Sequence, residues 1–201
     1  MKPWLVALAL AAPTFAAPAA ASAHGAQEWR FDVTLDGRPI GEHRFVLREH
    51  DGTRELTSEA RFRVRVLFVD AYRYEHRARE WWRGDCLVRL DARTDENGTE
   101  TRVAVPDDST PPDGCVRTFA YWNPDILEWR RLLNPQTGEY MQVEVIPMGR
   151  EQIGGQPAER YRLLGSGRTP LEIDLWYTPS RDWVALESRT PEGRRLRYAR
   201  K

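Results

Sequence analysis

His76 and Glu80, in the stretch Arg73-Tyr74-Glu75-His76-Arg77-Ala78-Arg79-Glu80-Trp81-Trp82, are the residues best suited by type to proton transfer or metal binding. On a helix, residues four apart are neighbours on one face, and the two could share a proton or an ion. On a strand they point the same way but stand about 13 Å apart at ~3.3 Å per residue, too far for either. The surrounding pattern favours the strand. Tyr72, Tyr74, His76, Ala78, Glu80 and Trp82 alternate with Arg73, Glu75, Arg77, Arg79 and Trp81. That period of two outweighs the helical preference of Ala, Arg and Glu.

His43 lies on the apolar side of its own segment. The inward face therefore gathers His43, His76 and Glu80 among Phe62, Tyr72, Tyr74 and Trp82. An apolar lining with a few convergent polar groups suits a ligand-binding site. Ala78, between His76 and Glu80, leaves a gap for another strand, a helix or a ligand to fill. The competing reading is structural. Buried polar groups need partners whether or not they act, and Glu80 then pairs with an inward arginine or the Trp122 indole while His76 donates to a backbone carbonyl.

Neither metal nor cofactor is expected. His43, His76 and Glu80 are acceptable zinc ligands by type, but strand spacing keeps His76 and Glu80 from one ion. His24, as a free N-terminal histidine, could chelate copper only with a second histidine that the sequence does not locate. No G-x-S-x-G, HExxH, P-loop or dinucleotide fingerprint is present, and the glycine-rich pieces read as turns between strands.

The elements that must position these groups are mostly strands. Trp29, Phe31, Val33 and Leu35 alternate with charged or polar residues, Asp36-Gly37-Arg38-Pro39 turns the chain, and the segment through His43, Phe45 and Leu47 completes a hairpin. A long strand through Leu56, Ser58, Ala60, Phe62, Val64 and Val66 follows Asp51-Gly52. Beyond the opening stretch come a strand from Cys86 to Ala92, the hairpin signal Glu96-Asn97-Gly98, and a strand from Thr99 to Val105. One segment departs from the pattern. Asn123 as N-cap, Pro124 at the first helical position and apolar residues at helical spacing predict a short helix over residues 124–133. Strands then resume over 140–148, 158–164, 171–177, 183–188 and 195–198. The expected fold is all-β: one antiparallel, strongly curved sheet or partly closed barrel of about eleven strands, with the helix over its concave face.

The ends and the composition set the compartment. Lys2, the apolar run Trp4 to Ala12 and the A-x-A site Ala21-Ser22-Ala23 read as a signal peptide over residues 1–23, followed by a single β-rich domain over 24–201. No later segment reaches membrane-spanning length, so the product is expected to be soluble and exported to the periplasm or beyond. Cys86 and Cys115 are expected to form a disulfide there. The 30 basic residues include only Lys2 and Lys201 as lysines, and the arginines interleave with 30 acidic residues. That is a mixed solvated surface, which argues against nucleic acid as a partner.

Several motifs also carry a family resemblance. Leu35-Asp36-Gly37-Arg38-Pro39-Ile40-Gly41-Glu42-His43-Arg44-Phe45, the Tyr74-x-His76-x-x-x-Glu80-x-Trp82 pattern, Trp122-Asn123-Pro124, Leu132-Leu133-Asn134-Pro135-Gln136-Thr137-Gly138 and Leu175-Trp176-Tyr177 resemble a bacterial exported-protein family, domain of unknown function 6134. The resemblance covers nearly the whole mature chain and implies no activity. In strand order alone the chain is also similar to exported open-barrel proteins, including lipoprotein carriers that hold acyl chains. Three functions follow as expectations. The leading one is binding or carriage of an apolar or amphipathic small molecule, with lipid the foremost class. The second is an enzyme acting on such a molecule with Glu80 or His76 as acid or base. The third is a structural or partner-binding envelope protein without ligand. Oligomeric state is not legible.

Overall fold

The computed structural model describes residues 25–66, 69–106 and 115–201. The expected signal peptide, the N-terminal copper chelate considered at His24 and residues 107–114 lie outside the described residues.

The strands are β1 (Gln27–Leu35), β2 (Arg38–His50), β3 (Thr53–Val66), β4 (Val69–Arg83), β5 (Cys86–Glu96), β6 (Thr99–Val105), β7 (Arg131–Leu133), β8 (Tyr140–Ile153), β9 (Gln156–Ser166), β10 (Leu171–Tyr177), β11 (Trp183–Arg189) and β12 (Arg195–Arg200). They form one 12-stranded antiparallel sheet in the order β6-β5-β4-β3-β2-β1-β12-β11-β10-β9-β8-β7. The first and last strands therefore meet in its middle, with Val33 opposite Tyr198, and no pairing between β6 and β7 closes it among the described residues. Alternation does what it promises. Trp29, Phe31, Val33, Leu56, Ala60, Ala78, Trp82 and Leu90 are buried on the concave face, while the arginine-rich positions face out.

The helical expectation needs correction. Asn123 does cap, its side-chain oxygen accepting from the Asp125 N–H at 3.1 Å, but only a 3-10 helix over Pro124–Glu128 follows. The backbone is extended by Trp129, whose ring stacks on Trp82 at 5.9 Å, and Arg131–Leu133 pair with β8. A lone helix of this length is marginal. Pairing with β8 satisfies the same backbone groups while burying Leu132 and Leu133, so the strand wins and the sheet has twelve strands rather than eleven.

The antiparallel order gives the sheet two distinct ends. At one lie the turns β1–β2, β3–β4, β5–β6, β7–β8, β9–β10 and β11–β12. At the other, the chain from Cys115 to Trp129 crosses the gap between β5 and β7. The Leu87 N–H donates to the Val116 carbonyl at 2.8 Å, and the Leu133 N–H to the Arg117 carbonyl at 2.7 Å. The expected disulfide, Cys86–Cys115, secures this crossing. The segment's own Trp122, Ile126 and Trp129 gather with Trp82 of β4 as a plug.

Near the opposite end, the β1–β2 register shifts between Val33 and Thr34, and Gly41 of β2 lies close against β3. A Cβ on Gly41, at φ +153, would stand 1.9 Å from the Arg61 carbonyl oxygen. Only glycine allows that approach, which bends the sheet.

Candidate functional site

The inward face of β4 runs along the axis of the molecule: Tyr72 at the rim, then Tyr74, His76, Ala78 and Glu80, and Trp82 in the plug. His76 and Glu80 are therefore two levels of one wall, as strand geometry requires. Beside them the sheet carries small side chains in register, with Ser58 opposite Ala78, Ala60 opposite His76, and Ala92 opposite Ala78. A cavity of about 230 Å³ remains in front of this patch. Its wall on β2–β4 is His43, Phe45, Ser58, His76, Ala78 and Glu80, and facing residues include Phe119, Tyr121 and Trp122 from the crossing segment and Leu186 and Tyr198 from the second half of the sheet.

A second cavity of about 520 Å³ adjoins it at the open end, lined by Leu35, Ile40, Phe62, Val64, Tyr72 and Tyr74, with Glu96, Glu192 and Arg194 at its rim. Gln136, Leu196 and Tyr198 wall both chambers. The seven residues expected from sequence are thus distributed. His43, His76 and Glu80 line the inner chamber, Phe62, Tyr72 and Tyr74 the outer. Trp82 lines neither: it is fully buried, and its indole N–H donates to Glu80 Oε2 at 2.8 Å. Its contact with the inner chamber is through the Glu80 carboxyl that it holds.

Each buried polar group has a local anchor. His43 Nε2 lies 2.7 Å from the Ser58 hydroxyl and Nδ1 lies 3.4 Å from the Tyr198 hydroxyl, while the ring stacks on Phe45 at 4.0 Å. His76 Nδ1 lies 2.9 Å from the Thr94 hydroxyl, and its Nε2 has no hydrogen-bond partner among the described residues. Glu80 accepts from Trp82 rather than from the expected arginine or Trp122. Trp122 instead packs edge-on against Trp82 at 5.8 Å, and its indole N–H finds no acceptor among the described residues. The Thr118 hydroxyl is close enough to Glu80 to favour the charged carboxylate, yet makes no hydrogen bond of good geometry.

Burial dominates the protonation of this wall. It pushes Glu80 up to about 7, against the smaller opposing pull of Trp82 and Thr118. It holds His76 down at about 4 and His43 well below the ordinary histidine value, with repulsion from His76 adding to the effect on His43. Both rings are neutral at pH 7 and Glu80 is divided between its two states. Such a wall can donate and accept hydrogen bonds with little fixed charge.

Some wall residues were not picked out as site residues from the sequence. Phe119, Tyr121 and Trp122 belong to a segment without periodicity. Tyr198 is inward by alternation, but its position opposite β1 depends on the pairing of the chain ends. Ser58 is legible as inward by alternation, but its place opposite Ala78 is set by the register of β3 on β4. Among the described residues no three His, Cys, Asp or Glu side chains gather to hold a metal ion, and no helix is long and apolar enough to cross a membrane.

One solved structure, titled as the crystal structure of a beta-barrel-like protein of domain of unknown function DUF1849 from Brucella abortus, superposes with a TM-score of 0.64. It covers 87% of this chain and 94% of its own at 8% sequence identity, a likeness of fold alone. No curated protein matches the sequence. A family model described as Domain of unknown function (DUF6134) matches residues 31–201.

Proposed function

The chain belongs to the DUF6134 family, and from that premise we propose that it is an exported protein that binds an apolar or amphipathic small molecule, with lipid the foremost class, inside the concave face of its sheet. One observation carries the reading. The register that sets Ser58 opposite Ala78 leaves an unfilled interior next to His43, His76 and Glu80. Protein cores are close-packed, with few voids larger than a water molecule, so a wall of small residues at the centre of an aromatic-rich core suits a resident ligand better than a structural core. The adjoining chamber, at about 520 Å³, lies within the range of small-molecule sites. The Cys86–Cys115 disulfide is compatible with export.

The test is an organic extract of the protein purified from its native compartment, analysed by mass spectrometry, beside the same extract of Ala78→Leu. Filling the gap at Ala78 should displace the ligand while leaving the melting temperature of the delipidated variant equal to or above that of the delipidated wild type, because cavity filling is stabilising where room exists. The expected result is a reproducible amphipathic compound in the wild type that is lost from the variant. Absence of any extractable compound, together with failure of the wild type to bind long-chain probes, would refute the reading.

A further inference from the structure

The two chambers differ in chemistry along the axis. The outer is walled by Leu35, Ile40, Phe62, Val64 and Tyr74, with its charged groups, Glu96, Glu192 and Arg194, at the solvent rim. The inner holds the indole N–H of Trp122, a lining residue only 6% exposed, which is buried without an acceptor among the described residues, and the ring of His76, anchored to Thr94 through Nδ1 with Nε2 left to the chamber. A hydrocarbon chain placed there would leave these groups without partners, whereas the outer chamber matches it.

The inner chamber also offers no uncommitted cation at depth among the described residues: the Arg54 guanidinium, which stacks 4.9 Å over the Trp122 ring, is held by the Gly84 carbonyl and Asp85. The chamber's one lining arginine, Arg189, is the exposed last residue of β11, at the rim, where it donates to the Gly193 carbonyl at 3.2 Å. Glu172 stands near the start of β10 at the same end. Deeper in, the ionisable groups are His43, His76 and Glu80. A carboxylate or phosphate head would face Glu80 while the neighbouring Arg54 is paired with Asp85, and an ammonium head would be desolvated with the single Glu80 carboxyl as its counter-charge.

Resting on the reading of the cavity as a ligand site, we infer that the ligand enters head first: an uncharged, hydrogen-bonding head of the hydroxyl or amide class sits between His76 and Trp122, and its chain runs outward past Phe62 and Tyr74 to the rim. This assigns the inner chamber as a selectivity site for neutral heads and the outer as a chain site.

The tryptophans give the orientation a direct readout. Trp82, Trp122 and Trp129 cluster at the plugged end, and no tryptophan lines the outer chamber. The experiment uses the delipidated full mature protein and a matched set of long-chain compounds: a primary alcohol, the corresponding carboxylate and the corresponding ammonium. Each is titrated at one pH and ionic strength by displacement of a neutral fluorescent probe. The alcohol is then compared in two brominated forms, with bromine beside the head or at the far end of the chain, by quenching of tryptophan fluorescence. The expected outcome is alcohol binding at least tenfold tighter than either charged analogue, with stronger quenching by head-proximal bromine. Equal or tighter binding of the carboxylate or ammonium overturns the neutral-head assignment, and stronger quenching by chain-end bromine overturns the orientation. In both cases the ligand-site reading stands. Failure of all three compounds to displace the probe overturns both.

Discussion

Glu80 and His76 pull the pH dependence of folding in opposite directions, although the same burial acts on both. The folded-state pKa of Glu80 is raised from 4.5 to about 7, so the native protein holds a proton that the unfolded chain releases. Its contribution to stability is full below about 4.5 and falls as pH rises towards 7, by about 3 kcal/mol in total. His76, lowered from 6.5 to about 4, behaves in reverse: its contribution is full above 6.5 and is lost as pH falls through 4. Glu80→Gln keeps an acceptor for the Trp82 indole and removes the titration. The melting temperature of Glu80→Gln relative to the wild type should therefore rise between pH 5 and 8, whereas Arg77→Gln on the outer face should show a flat difference. A flat difference for Glu80→Gln as well would mean that its carboxyl titrates normally and that the chamber is wet.

The crossing segment from Cys115 to Trp129 is the element on which the site depends, because it supplies Phe119, Tyr121 and Trp122 to the inner wall and has few backbone bonds of its own. Its anchors include the disulfide to Cys86, the bond from Leu87 to Val116, the bond from Leu133 to Arg117, the Tyr177 hydroxyl donating to the Tyr121 carbonyl, and the Arg181–Asp125 pair. Closing a loop with a sequence separation of 29 stabilises by about 3 to 4 kcal/mol in the chain-entropy account. Replacing both cysteines by serine should lower the melting temperature and speed amide exchange at Leu87 and Leu133 ahead of the central strands. An unchanged melting temperature with both thiols absent would show that the plug holds without the bridge. This is also where sequence reading was least secure. Asn123 and Pro124 are sound local signals for a helix start, and a 3-10 helix does begin there, but the fate of Leu132 and Leu133 was settled by a partner strand beginning at Tyr140.

For the whole molecule, the signal peptide expected over residues 1–23 leads to one check: the exported protein should have an intact mass that starts at His24, and a soluble exported product retaining Met1 would contradict it. The interior follows from local pattern to a large extent. The alternation along β1 to β5 is covalent and repeats every two residues, so the inward set containing His43, Phe62, Tyr74, His76, Glu80 and Trp82 could be read from the chain, as could the failure of His76 and Glu80 to share an ion. The pairing of Cys86 with Cys115 was legible because there were only two thiols to join. Tertiary structure alone decided what depends on register and on contacts distant in sequence. β12 returns to pair with β1 and brings Tyr198 to His43. Adjacent strands align Ser58 with Ala78 beside a void. The inward set is divided between two chambers, with Trp82 withdrawn into the plug. A period of two states which way a side chain points, but not which residue stands opposite it, and that neighbour determines whether the space in front is filled or left open.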